Sequence, residues 1–519
     1  MAYQTPSAAR VVSLARSLDW EISDKQAAAL QNFLTPFADG YEWLDQQTSS
    51  GAENNASGRT YEFPKDNPHN AWFARTEIPT NIDGVLSGKS IAVKDNIFVA
   101  GVPVSNGSSF LQDHIADYDA TVVTRILNAG GNIIGKSNCE YFCLSGGSAT
   151  SSHGVVENPR RAGYSTAGSS SGSAALVAGG YVDMALGTDQ GGSVRSPASW
   201  SGVCGMKATR GLVPYQGGIA IESTVDYIGP MTRRVADNAL LLDVIAESQS
   251  RGFAHRFEQA LDGLRIGVLR EGFAHPLSDP VVDESVLSAV RQFEPLGAEI
   301  IDVSVPMHLN GLAIWGAIVT DGFWQTLKLR GLGYNLEGKY STSLANAMTD
   351  WQQHIGEMPI NAQVLMLLGK HVEQYAGKYY FAAKNHVERL RADYDAIFEQ
   401  VDVLAMPTTV QRAGPNPAPD DINGIFAQAF NNTINTAQFN ATGHPALSIP
   451  CAMRDELPIG LMFVGRYREE ALLYQAAHWF EQSLDWTLIV LFVVKDEIVS
   501  TVNAPCHRRM HLVLERGNR

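Results

Sequence analysis

Three groups of residues in this 519-residue sequence are placed to do chemistry. The first is Gly168-Ser169-Ser170-Ser171-Gly172, set among five serines between Ser165 and Ser173. The second is the knot Gly191-Gly192-Ser193, inside the run Asp189-Gln190-Gly191-Gly192-Ser193-Val194-Arg195-Ser196-Pro197. The third is Lys94, which ends the apolar run Ile91-Ala92-Val93. Glycine-serine turns leave backbone N–H groups open and crowded, a geometry that grips a small oxygen. A serine hydroxyl adds a nucleophile, weak until a neighbour takes its proton.

Three chemistries compete for these residues. Phosphate binding would use N–H groups of a glycine-rich turn opening a helix, but no GK[ST] ending and no GxGxxG pattern is present. A nucleophile elbow is matched literally, since 168–172 reads GxSxG with Ser170 at its centre. An elbow needs a strand directly before it, whereas Glu157 to Ala167 is polar and loop-like, and its histidine would be His444 in a turn-like TGHP. The remaining reading joins both serine knots to Lys94. Alone, that lysine reads as a strand-end residue solvated by its own long stem.

The elements that must position these groups alternate between strand and helix, the mark of an α/β protein. Strands are expected at Ser90–Asn96, Asn132–Lys136, Leu264–Glu271, Glu299–Val305 and Val401–Thr409, with a closing pair ending at Gly465. Helices are expected near Ala120–Asn128, Ala236–Ala246, Val281–Phe293 and Glu469–Leu484. A small-residue helix joins the two serine knots. The segment Asn138–Thr150 is read as a helix running into a Gly/Ser loop, so that Cys139 and Cys143 share a face. Residues 1–70 form a helical segment (one or two helices over 7–48, then a polar loop) packed on the body, and 71–486 the main domain. An aromatic-rich, helical insertion over about 307–400 caps that domain, and 487–519 is an atypical tail.

Composition narrows the partners. The net charge of −15 argues against nucleic acid or an anionic membrane surface. The apolar run after Thr487 is seven residues, far short of the roughly 20 that cross a bilayer, and the N-terminus lacks the apolar core of a secretory signal. Five scattered cysteines without a CxxC pair suggest free thiols in a reducing, cytoplasmic setting and no metal site.

Taken together, the motifs resemble the amidase signature family of serine amidohydrolases. The pattern is a glycine-serine cluster, a small-residue helix and then D-x-G-G-S-[hydrophobic]-R-x-P, here Gly168 to Gly172 and Asp189 to Pro197. Gly205-Met206-Lys207, Gly211-Leu212-Val213-Pro214, Gly229-Pro230 with Arg233, Pro407-Thr408, Gly443 to Pro450 and Leu457-Pro458-Ile459-Gly460 add to it. The resemblance covers roughly Ser90 to Gln482. Ala167 stands where the family usually has a glycine, and Ala208 where a proline is frequent.

The resemblance implies an amidase signature fold: a central mixed, twisted β-sheet covered on both sides by α-helices. It implies Ser193 as nucleophile, Ser169 as bridging relay on a cis peptide after Gly168, and Lys94 as general base. A lysine serves as base only in its neutral form, which burial among apolar neighbours favours. Backbone N–H groups of Gln190, Gly191, Gly192 and Ser193 would form an oxyanion hole. Cys143, Ser145 and Ser170 are the substrate-binding candidates, and Asp189 with Arg195 the scaffold. The implied reaction converts a small carboxamide to a carboxylic acid and ammonia through an acyl-enzyme, with no cofactor and no metal. Within the family the chain most resembles stand-alone amidases of the nitrile-hydratase-associated type. The alternatives are the glutamine-hydrolysing component of an amidotransferase, an esterase sharing the mechanism, and an inactive binding scaffold of the same fold. A homodimer is expected only by analogy.

Overall fold

The computed structural model describes residues 3–48, 56, 58–246, 252–334 and 338–483. The tail from Thr487, including Cys506, lies outside the described residues.

One twelve-stranded mixed sheet forms the frame. In spatial order its strands are Tyr61–Glu62, Trp72–Ile78, Asn132–Ser137, Ser90–Lys94, Met184–Asp189, Tyr227–Thr232, Cys204–Lys207, Ala446–Arg454, Leu457–Gly465, Val403–Pro407, Arg265–Leu269 and Glu299–Val303. Ser90–Lys94 runs parallel to both of its neighbours, and Arg265–Leu269 does the same near the far edge. The closing pair 446–454 and 457–465 is antiparallel.

Why the sheet is covered on both sides is legible in Ser90–Lys94. Side chains alternate across a strand, so Ile91 and Val93 join the larger core with Val122, Ile126 and Leu241. Ala92 points the other way, into a second core shared with Ala185 and the helix Ser171–Ala178. Small residues line that second face, and the helix is buried along its whole length. A Cβ on its Gly172 would lie 2.3 Å from the Ala71 carbonyl oxygen, so only glycine allows this approach.

Several expectations need correction. The N-terminal region holds three helices, Ala8–Arg16, Asp24–Leu34 and Pro36–Thr48. Strands 72–78, 184–189, 204–207 and 227–232 were not anticipated. Residues 138–150 do not form a helix; a single turn, Tyr141–Cys143, is all that appears, with φ of 51° at Phe142 and 59° at Cys143. The reason is competition for backbone donors. Asn138 N–H goes to Ala71 O at 2.8 Å, Phe142 N–H to Asn106 O at 2.8 Å and Glu140 N–H to Ser169 O at 3.3 Å, which leaves no helical ladder.

Helices Gly311–Lys328, Thr342–Ala347, Ile360–Val372 and Lys378–Phe398 occupy the 307–400 region. The first packs on the third, on the fourth and on Ala437–Thr442. Trp315 on it reaches the second serine knot.

Candidate active site

Lys94 ends its strand fully buried. Its Nζ lies 2.8 Å from Ser169 Oγ and 2.8 Å from Thr188 Oγ1, and it also donates to Thr188 O at 3.4 Å. The neighbouring strand Met184–Asp189 delivers Thr188, so sheet pairing itself sets the partner of the lysine. The next residue, Asp95, is clamped by Lys136 Nζ at 3.3 Å and by the Ser105 N–H at 3.1 Å. That clamp pins the strand end.

Ser169 follows a cis peptide from Gly168. A Cβ on Gly168 would sit 2.0 Å from Gly147 O, so the cluster demands glycine there. Ala167, where the family usually carries glycine, takes φ of 58°, a conformation that glycine adopts without steric cost. Glu140 ties the cluster together: its carboxyl accepts from Thr150 N–H at 2.7 Å, Thr150 Oγ1 at 2.6 Å and Ser171 Oγ at 2.9 Å. Burial raises the Glu140 pKa to about 7 against these hydrogen bonds.

Ser170 is committed elsewhere. Its fully buried hydroxyl donates to Thr188 O at 3.1 Å and accepts from Thr188 N–H at 3.2 Å. The elbow's other candidate, His444, is hydrogen-bonded to Asp395 at 3.1 Å and Thr442 at 3.0 Å. No strand precedes Ser170, so the elbow geometry is absent from this described segment.

Ser193 sits just before the helix Arg195–Ser201 and is 8 % exposed, while Ser169 and Ser170 are fully buried. Ser170 N–H donates to Ser193 O at 3.3 Å, joining the two serine knots directly. Beneath the loop Asp189 pairs with Arg195 through contacts of 3.0 Å at Nε and 3.0 Å at Nη2. Asn440 bridges the pair, accepting from Arg195 at 2.6 Å and donating to Asp189 O at 2.8 Å. Although burial opposes ionisation, Arg195 and Asn440 hold the Asp189 pKa down to about 2.

Three carbonyls of the loop are each taken up by a hydrogen bond. Gln190 O accepts from Trp315 Nε1 at 2.6 Å, Gly191 O from Thr436 Oγ1 at 2.5 Å and Gly192 O from Ser196 N–H at 2.7 Å. In a planar trans peptide the N–H points opposite to the carbonyl, so the N–H groups that follow point away from these three donors. Gly192 departs from the expected set: its N–H donates to Asp189 Oδ1 at 2.7 Å, which withdraws it. Both glycines are needed, because a Cβ would meet Trp315 at 2.5 Å from Gly191 and Thr436 at 2.2 Å from Gly192.

A small pocket opens on Ser193, lined by Cys143, Ser145, Trp315, Phe430, Leu365 and Val319 among others. Its lining carries no charged side chain, and Ser170 does not belong to it. Sequence reasoning missed Thr188, Glu140, Thr436 and Asn440. Thr188 abuts the motif aspartate and could have been found by position, whereas the other three have no local signal. Among the described residues no group of three His, Cys, Asp or Glu side chains could hold a metal ion, and no helix is long and apolar enough to cross a membrane.

Comparison with known proteins bears on the family and the fold. The family model for amidases matches residues 52–474. An enantioselective amidase of Rhodococcus rhodochrous is 39% identical over 422 residues, 78% of this chain and 81% of that protein. A component of the glutamyl-tRNA(Gln) amidotransferase from a Synechococcus strain is 36% identical, covering 77% of this chain and 84% of its own. Among solved structures, the native peptide amidase of Stenotrophomonas maltophilia superposes with a TM-score of 0.65 at 29% identity, over 78% of this chain and 84% of that one. A motif set spread along the chain, a matching fold and this family match leave one assignment: the chain belongs to the amidase family and is a hydrolase of amide C–N bonds.

Proposed function

We propose that Ser193 is the nucleophile of this amidase, with Ser169 and Lys94 as its proton relay. The observation that carries the reading is the 2.8 Å contact between Lys94 Nζ and Ser169 Oγ, next to the Ser170 N–H that donates to Ser193 O at 3.3 Å. Ser193 Oγ attacks the carboxamide carbon as its proton passes through Ser169 to Lys94. N–H groups of Gln190, Gly191 and Ser193 stabilise the oxyanion, each contributing about 3–4 kcal/mol in such sites. Collapse of the intermediate returns the proton through Ser169 to the departing nitrogen, which leaves as ammonia. Water then repeats the sequence on the acyl-enzyme and releases the acid.

We also infer that the acyl group is apolar and small. The pocket offers Leu144, Ile221, Trp315, Val319, Leu365 and Phe430 and no charge, so glutamine would leave its ammonium and carboxylate unpaired at a cost of several kcal/mol. Cys143 and Ser145 line that pocket and are the proposed polar contacts to substrate. A panel of amides of graded acyl size, read by ammonia release, tests the reading. Propionamide- to benzamide-sized substrates should exceed glutamine by at least about a hundredfold in kcat/KM. Comparable turnover of glutamine would favour an amidotransferase role. Sedimentation of the full chain tests the homodimer expected by analogy.

A further inference from the structure

A cavity of about 670 Å³ shares its walls with the Ser193 pocket but contains none of the proposed catalytic residues. The helix Gly311–Lys328 and the segment 219–226 serve both spaces. Val319 and Ile221 line the Ser193 pocket, while Asp321, Gly322 and Glu222 line the cavity. Tyr334, Tyr380 and Phe381, from the aromatic-rich region, complete a mostly apolar wall. The volume falls among clefts that hold small organic ligands, roughly 300–1,000 Å³.

The cavity holds buried carboxyl groups that lack a counterion. Asp321 is 6 % exposed, and its one hydrogen bond among the described residues is a loose contact within its own helix, Gln325 Nε2 donating to Oδ1 at 3.3 Å. Its Oδ2 meets no donor there. Glu222 is 7 % exposed and accepts from neutral groups, Tyr380 Oη at 2.9 Å and Thr224 N–H at 3.0 Å among them. A Cβ on Gly322 would lie 2.1 Å from Glu222 Cγ, so the glycine lets Glu222 lie against the helix next to Asp321. The cations close by are engaged elsewhere. Lys328, in the cavity lining, is ion-paired to Glu373, and Lys384 donates to Thr224 Oγ1 at 2.9 Å. Among the described residues neither Asp321 nor Glu222 forms an ion pair.

A buried carboxylate without an opposite charge is costly, and a cation supplied by a ligand removes that cost. Aromatic faces add to the attraction, because the ring quadrupole draws a cation held within about 6 Å of its centre. The donor set does not suit a metal ion, since among the described residues no three His, Cys, Asp or Glu side chains come together. We propose that this cavity binds an organic ammonium ion with an aromatic body, its nitrogen at Asp321 beside Glu222 and its ring against Tyr334, Tyr380 and Phe381. Asp321 supplies the counterion, and the apolar wall selects an organic cation over an inorganic one. The inference goes beyond the hydrolytic reading and does not depend on which serine is the nucleophile.

The test measures binding of phenethylammonium to the full chain by equilibrium dialysis, with phenethyl alcohol as the neutral isostere. Physiological salt screens the diffuse attraction of a chain with net charge −15. One ammonium ion should bind per chain, and the alcohol should bind at least about tenfold more weakly because it brings no charge to Asp321. Asp321→Asn keeps the shape, removes the charge and should weaken ammonium binding by about tenfold. Phe381→Ala, at an exposed position that the fold does not depend on, should weaken it by about threefold. Unfolding midpoints report that each variant is folded; should Asp321→Asn fail to fold, the ammonium-to-alcohol ratio and Phe381→Ala decide. Equal affinity for the alcohol overturns the proposal, as does unchanged affinity in folded Asp321→Asn or in Phe381→Ala. Several equivalent sites, or no binding at millimolar ligand, overturn it as well. Amide hydrolysis and fluorophosphonate labelling of Ser193, scored separately, report on the catalytic reading.

Discussion

The indole Nε1–H of Trp315 donates to the carbonyl oxygen of Gln190 at 2.6 Å while its ring closes on Gly191. One side chain of the helix 311–328 thus lines the pocket at Ser193 and fixes the orientation of the loop that leads to it. Trp315→Phe keeps most of the packing and deletes the hydrogen bond. Its expected effect is a fall in kcat of roughly fivefold, about 1 kcal/mol, with a smaller change in KM. Steady-state kinetics check it; a change confined to KM would mean that Trp315 only contacts substrate.

Ser193→Ala should abolish both hydrolysis and covalent labelling by a fluorophosphonate, with a loss of at least about a thousandfold in kcat. Mass mapping identifies the labelled residue. Label on Ser170 would restore the elbow reading despite its hydrogen bonds to Thr188.

Asp189→Asn should destabilise the protein by about 3–5 kcal/mol, because it leaves the Arg195 charge buried without its counterion. The pH dependence has a definite sign. The folded-state pKa is depressed from 3.8 to about 2, so the carboxylate contributes stability above pH 3.8 that is lost as pH falls toward 2. Denaturant unfolding of wild type and variant across that range should show the two curves converging in acid.

Glu140 shifts the opposite way, from 4.5 to about 7. Both states are protonated below pH 4.5, and between 4.5 and 7 only the unfolded chain gives up its proton. Stability therefore declines over that window, by about 3 kcal/mol for this group alone. Glu481, also raised to about 7 by burial, contributes in the same window, so the informative quantity is a difference. Unfolding of Glu140→Gln should show a shallower decline than wild type. Equal slopes would mean that the Glu140 carboxyl ionises freely in the folded protein.

How much of this was legible in the sequence depends on whether the signal was local. The knots Gly168–Gly172 and Asp189–Pro197, the apolar run ending at Lys94 and the alternation of strand and helix are patterns of neighbouring residues. They sufficed for the family, the reaction class and the three candidate catalytic side chains. Strands 184–189 and 227–232 escaped because they are buried on both faces, which removes the alternation by which a half-buried strand is read.

What only the tertiary structure decided is where each hydroxyl and N–H points. Ser169, Ser170 and Ser171 are alike in sequence, yet one meets Lys94, one binds Thr188 and one binds Glu140. Gly192 lies in the expected oxyanion loop but gives its N–H to Asp189. Trp315, Thr436 and Asn440 reach that loop from more than a hundred residues away. Motif spacing determines which groups are available. Their directions follow from buried donors and acceptors having to find partners at fixed distances in a packed interior, and those partners come from strands and helices that meet only in the folded chain.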